Sequence, residues 1–281
     1  MSNCLSTADQ PDGTGWKMAF WTRKSKDTKS KEEAIAADFD ASGKPYAVLQ
    51  NVSLELEGRT VLQDISLSLQ EARVGIVGLN GSGKSSLVRL LNGLRLPTGG
   101  EVRMFGVSTE AMRAELPRYV GFVFQNPDHQ AIFPTVEEEI AFGLTQLGFA
   151  RAEARDQALA FLVRHHCGHL AEKPFADLSE GQKQLICLLA VLVMKPKLLI
   201  LDEPMSSLDG LATRRIERKL AELDQKIVMI SHDLGLLRNF DRVLWVGDGK
   251  IYMDGAPGDV LPAYEADLEQ RAARDPEGLQ P

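Results

Sequence analysis

At 281 residues, with 32 Lys and Arg against 39 Asp and Glu, the chain is long enough for one large α/β domain or two smaller ones and carries a net charge of −7. That acidic balance excludes a protein that wraps nucleic acid. The cysteines, Cys4, Cys167 and Cys187, share neither metal-ligand spacing nor a disulfide framework, as in a reducing compartment. No apolar run approaches a membrane span, and Asp9, Pro11 and Asp12 interrupt any secretory core, so a soluble or peripheral cytoplasmic protein is expected.

Residues 1–45 are polar and hold the basic stretch Arg23-Lys24-Ser25-Lys26 with Lys29 and Lys31 nearby, which reads as a disordered extension. The alternative is that Trp16, Phe20 and Trp21, beside those lysines, rest on an anionic membrane surface. The folded domain is expected over residues 46–262. Residues 48–56 and 65–69 alternate apolar and polar side chains around the turn Glu57-Gly58-Arg59, as half-buried antiparallel strands do.

Val74-Gly75-Ile76-Val77 is a short apolar run that predicts a buried parallel strand. It leads into Gly78-Leu79-Asn80-Gly81-Ser82-Gly83-Lys84-Ser85, which fits the phosphate-loop pattern G-x-x-x-x-G-K-[ST]. Ser86-Leu87-Val88-Arg89-Leu90-Leu91 then has helical apolar spacing, so the motif stands in the strand–loop–helix context it requires. Gly78, Asn80, Gly81, Ser82, Gly83, Lys84, Ser85 and Ser86 are the expected phosphate cradle of a nucleoside triphosphate. Backbone N–H groups form the anion nest, Lys84 reaches the β- and γ-phosphates, and the Ser85 hydroxyl ligates Mg²⁺.

Further strands are predicted at residues 101–105 and, more deeply buried, at 120–124, ending on Gln125. Residues 135–170 turn helical and residues 185–194 form an apolar helix. The strand at 197–201 delivers Asp202 and Glu203 to its carboxyl end, where parallel sheets place ligand chemistry. Asp202 is positioned to hold Mg²⁺, and Glu203 to polarise a water for in-line attack on the γ-phosphate. Residues 227–230 are one more buried strand, ending at Ser231-His232, and residues 243–253 form a closing hairpin through Gly247-Asp248-Gly249. Residues 263–281 are charged, without a strong apolar period, and read as a tail of frayed helix or coil.

Leu178-Ser179-Glu180-Gly181-Gln182 resembles the L-S-G-G-Q signature of ATP-binding cassette (ABC) ATPases, with Glu180 in place of the first signature glycine. Gln125 is similar to that family's Q-loop glutamine, Ser207-Leu208-Asp209 to its D-loop and His232 to its switch histidine, all in family order. The resemblance implies an α/β fold: a P-loop core around a mostly parallel sheet, an N-terminal antiparallel β subdomain and an α-helical signature subdomain. It implies ATP and Mg²⁺ as ligands, with Ser85, Gln125 and Asp202 around the metal and Glu203, His232 and Gln125 serving hydrolysis. A second cassette, identical or different, would close head to tail, so that Ser179, Glu180, Gly181 and Gln182 meet the partner's ATP and Ser207 and Asp209 lie in its D-loop. One departure is Leu56, which stands where the family places an adenine-stacking aromatic; Tyr46 lies too far upstream to be assigned, and Arg59 or a neighbour is the alternative base contact.

Phe122-Val123-Phe124-Gln125-Asn126-Pro127-Asp128-His129-Gln130 and the segment 134–143 resemble the ATPase subunits of energy-coupling factor (ECF) transporters, importers of vitamins and transition-metal ions. That resemblance implies a peripheral position on the cytoplasmic face of the inner membrane. The partners implied are a transmembrane T subunit and a substrate-binding membrane subunit, with no nucleic acid. Ile132, Phe133, Val136, Ile140 and Phe142 are expected to line a groove for coupling helices, ringed by Glu137, Glu138 and Glu139, with part of that apolar set being the core face of an amphipathic helix. Residues 73–84 and 178–187 look most like the ATPases dedicated to biotin uptake, with those for cobalt and nickel as close relatives; both cargoes stay open.

Overall fold

The computed structural model describes residues 44–274, so the extension reading, with Trp16, Phe20 and Trp21, lies outside the described residues. Strands β1 (Ala47–Leu56) and β2 (Arg59–Leu69) form a hairpin closed by Glu57 and Gly58, both at positive φ, the turn geometry that matches strand twist. Together with β4 (Gly99–Met104) and β5 (Val107–Ser108) they make an antiparallel sheet in the order β2-β1-β4-β5. A second sheet has the order β10-β9-β3-β8-β7-β6, from β3 (Arg73–Val77), β6 (Val120–Val123), β7 (Leu198–Asp202), β8 (Lys226–Ile230), β9 (Arg242–Gly247) and β10 (Lys250–Gly255). Its pairings are parallel except that between β9 and β10.

The apolar runs of this sheet are continuous because both faces are covered. Leu198, Ile200, Val228 and Ile230 face the antiparallel sheet and helix α1 (Lys84–Leu91). Their neighbours Leu199, Leu201, Ile227 and Met229 face a second core with helices α2 (Val136–Gln146), α3 (Arg151–Arg164), α4 (Glu180–Leu192) and α5 (Gly210–Ala221). Among the described residues no helix is long and apolar enough to cross a membrane.

Two expectations are corrected. After the short helix α6 (Leu234–Leu237), the last described element is helix α7 (Pro257–Arg274), which runs straight through Ala263 as a packed helix where a frayed helix or coil was expected. Val260, Leu261 and Tyr264 are buried against Val77, Leu237 and Val243, and Tyr264 packs edge-on to Trp245 at 5.5 Å. Pro262 falls near enough to the start of α7 to remove a single helical hydrogen bond. The second correction concerns the acidic rim of the coupling groove, and the apolar set divides as expected between core and surface. Val136 and Ile140 are fully buried in the second core, Glu137 is buried and pairs with Arg155, and Glu139 turns inward to accept the N–H groups of Ile132 and Phe133 at 2.8 and 2.9 Å. Helix packing claims those positions, leaving Ile132, Glu138 and part of the Phe133–Phe142 pair toward solvent.

Candidate functional site

Strands β3, β8, β7 and β6 lie side by side and parallel, so their carboxyl ends fall on one edge. In register, Ile76 pairs with Ile230, Ile230 with Asp202, and Leu201 with Val123. The residues that follow these strand ends are the phosphate loop, Ser231-His232, Glu203 and Phe124-Gln125.

The loop leaves β3 at Gly78, whose φ of 149° and approach to the Val246 carbonyl leave no room for a side chain, since a Cβ would stand 2.1 Å from that oxygen. It returns into α1 through Gly83 at φ 104°, packed on Leu62 of β2. Lys84 is buried and folds back over the loop, its Nζ donating to the carbonyls of Gly78 and Leu79 at 2.8 and 2.9 Å. Burial lowers its pKa, opposed by the charges of Glu203 and Asp202. The Ser82 hydroxyl is buried inside the loop without a hydrogen-bond partner, a polar group that suits an anion seated there. Asn80 and Gly81 are exposed at its crest, and Ser86 is half-buried on α1.

Asp202 closes β7 almost wholly buried. Its Oδ1 accepts the Ser85 hydroxyl at 3.0 Å, and Arg89 Nη2 lies 3.7 Å from Oδ2. Burial pushes its carboxyl pKa up, offset only in part by the Ser85 bond and the Arg89 charge. Glu203 adopts φ 50°, an unfavourable conformation for a non-glycine residue, held by its N–H bond to the Ile230 carbonyl at 3.2 Å. That twist aims its carboxylate across the strand ends. Oε2 accepts from Gln125 Nε2 at 3.0 Å, and Oε1 lies 3.0 Å from His232 Nε2. Gln125 Nε2 also reaches the Ser206 hydroxyl at 3.3 Å.

Ser85 Oγ and the Asp202 carboxylate are hard oxygen donors beside the phosphate loop. Among the described residues no group of three or more His, Cys, Asp or Glu forms a metal cage. That combination fits Mg²⁺, which takes few protein oxygens and completes its shell with phosphates and water.

The structure thus gathers the phosphate loop, Gln125, Asp202, Glu203 and His232. It does not bring the other predicted residues to them. Ser179 caps α4, with Gln182 returning its amide oxygen to the Ser179 N–H at 3.0 Å, a reciprocal capping box. Gly181 lets the start of α4 touch α5, because a Cβ would meet that of Ala212 at 2.6 Å. Ser179 and Glu180 are exposed, and among the described residues no hydrogen bond or ion pair joins 179–182 to the phosphate loop. Asp209 caps α5, its Oδ1 accepting the N–H groups of Leu211 and Ala212 at 2.9 and 2.8 Å, while Ser207 is exposed. Leu56 is half-buried against the first core opposite exposed Arg59, and Tyr46 is sealed in that core. Two neighbours went unpredicted. Arg89 is four residues after Ser85, a helical spacing that points to it; Ser206 reaches Gln125 only through the turn after Glu203, which leaves no sequence signal.

A family profile described as ABC transporter matches residues 62–206. The biotin transport ATP-binding protein BioM of Rhodobacter capsulatus is 46% identical over 222 residues, 79% of this chain and 95% of that protein. CbiO1 from Clostridium perfringens, described as part of the ABC transporter complex CbiONQ, superposes with a TM-score of 0.69 at 29% identity, covering 83% of this chain and 96% of that one. A cassette solved as a post-hydrolysis dimer with ADP and Pi superposes with a TM-score of 0.65 at 26% identity, covering 75% and 98%. The chain belongs to the ABC transporter family of ATP-binding proteins. It has that family's α/β fold and is an ATPase.

Proposed function

We propose that the chain is the ATPase subunit of an ECF-type importer, peripheral on the cytoplasmic face of the membrane, that energises biotin uptake through separate membrane subunits. The observation that carries this reading is the likeness to BioM across nearly all of that protein's length. The site supports the chemistry. Lys84 and the loop amides would hold the β- and γ-phosphates of ATP, and Ser85, Asp202 and Gln125 would hold Mg²⁺, which would supply charge neutralisation to the phosphates. Glu203, between Gln125 and His232, orients and polarises the attacking water, while His232 contacts the γ-phosphate. Ser179, Glu180, Gly181 and Gln182 lie at the exposed start of α4, whose dipole favours an anion, and serve the ATP of a second cassette together with Ser207 and Asp209.

A cleft of about 850 Å³ lined by Phe133, Glu138, Ala141, Phe142 and Arg151 supports docking of a T subunit there. The test is to tag the full chain in its host, solubilise the membranes gently and identify the proteins and small molecules that co-purify. A T-type subunit and a small membrane protein retaining biotin are expected. Retained cobalt or nickel would keep the ATPase role and replace the cargo, and recovery without any membrane protein would refute the importer reading.

A further inference from the structure

Strand β6 ends at Val123, and the next residue, Phe124, finds side-chain partners for both its peptide groups. Its N–H donates to Gln130 Oε1 at 3.1 Å, and its carbonyl accepts from Gln184 Nε2 at 3.2 Å. Gln130 donates through Nε2 to the Cys187 carbonyl of α4 at 2.9 Å. One position before Gln184, Lys183 bonds both Asp128 oxygens at 2.9 and 3.2 Å and Glu180 at 3.2 Å. Asp128 sits in the single helical turn Pro127–His129, capped by Asn126. Residues 180, 183, 184 and 187 of α4 therefore all engage the segment 124–130, or the ion pair attached to it.

Gln184 and Lys183 are buried in a helix whose other buried residues are Ile186, Cys187, Leu188, Leu189, Val191 and Leu192. A buried amide is unfavourable unless it is bonded, and apolar packing alone would be served by leucine. The bond Gln184 makes goes to the residue immediately before Gln125.

We propose that Gln184, Gln130 and Lys183 are positioning residues for ATP hydrolysis: they fasten the Phe124 corner to the signature helix, so that Gln125 aligns on Glu203 only while the Ser179 end of that helix is seated. This rests on the hydrolytic role given above to Gln125 and Glu203. Glu180 is part of the device, because it shares Lys183 with Asp128 at the exposed end that would meet the second cassette's ATP.

The test is steady-state ATPase activity of the full chain as Gln184→Leu, Gln125→Ala and the double variant. Gln184→Leu is expected to lower kcat about five- to tenfold, the worth of one hydrogen bond, with KM for ATP within about twofold. In the Gln125→Ala background the same change should alter kcat by less than about twofold, because the residue it positions is gone. If Gln184→Leu does not fold, Gln130→Leu, at a half-buried site, is measured in the same cycle. An equal loss in both backgrounds, the mark of a merely structural role, would overturn the inference. A Gln125→Ala chain with full kcat would overturn the site reading itself, and the inference with it.

Discussion

Replacing Glu203 with glutamine separates the charge of this side chain from its shape. Glu203 Oε2 accepts from Gln125 Nε2 at 3.0 Å and Oε1 stands 3.0 Å from His232 Nε2. A glutamine can keep its oxygen toward Gln125 and turn its NH₂ toward His232, whose Nε2 accepts in the appropriate tautomer. The site should therefore keep its geometry and lose only the group that takes a proton from water. Loss of a general base lowers kcat by about 10²- to 10⁴-fold, or about 2.7–5.4 kcal/mol on the barrier. ATP binding should not weaken, because a negative charge near the γ-phosphate has been removed. The assay is phosphate release by the full chain, with size-exclusion in Mg²⁺ and ATP to follow the cassette pair. Near-absent turnover with a persistent ATP-bound dimer is expected. Turnover equal to that of the unsubstituted chain would refute the role assigned to Glu203.

The Tyr46 hydroxyl is wholly buried without a hydrogen-bond partner. Tyr46→Phe should therefore raise Tm, by about 2–4 °C for each kcal/mol of relieved desolvation; a lower Tm in differential scanning fluorimetry would contradict this. Asp202 has a folded pKa above its unfolded value, so its ionised form opposes folding once pH rises through that window, and the penalty fades as pH falls back through it. Asp202→Asn should accordingly raise Tm at neutral pH without nucleotide, lose that advantage toward the acid carboxylate range, and abolish ATPase activity. A destabilised variant at neutral pH would refute the reading. Asp209→Ala removes two capping bonds and should cost about 0.5–2 kcal/mol in urea unfolding, with Asp209→Asn restoring most of it; an unchanged midpoint for the alanine variant would exclude the cap.

The strand carrying the phosphate loop was legible because its apolar run, its glycines and the helical spacing after Lys84 occur consecutively, and local sequence alone determines that unit. Gln125, Asp202, Glu203 and His232 were legible as strand ends, but their meeting depends on the order β3-β8-β7-β6, which sequence periodicity does not encode. The family resemblance grouped these residues around one ATP without giving that strand order. Helix α7 was read only as frayed helix or coil because its buried side chains, Val260, Leu261 and Tyr264, stand among acidic residues and beside Pro262, which masks the period. Glu137 and Glu139 misled for the opposite reason. A run of three acids reads as a solvated rim, whereas on α2 two of them turn inward to Arg155 and to backbone N–H groups. Gln130 and Gln184 were invisible as site residues because their partners are backbone groups of Phe124, and such bonds carry no sequence pattern.

Under the proposed function, ATP hydrolysis at Glu203 drives biotin across a membrane. Its most direct test is uptake of radiolabelled biotin into proteoliposomes that hold the full chain with its co-purified membrane subunits. ATP-dependent accumulation with the unsubstituted chain, lost with Glu203→Gln, is the predicted result. Equal accumulation with both chains, or none with a complex that hydrolyses ATP, would contradict it.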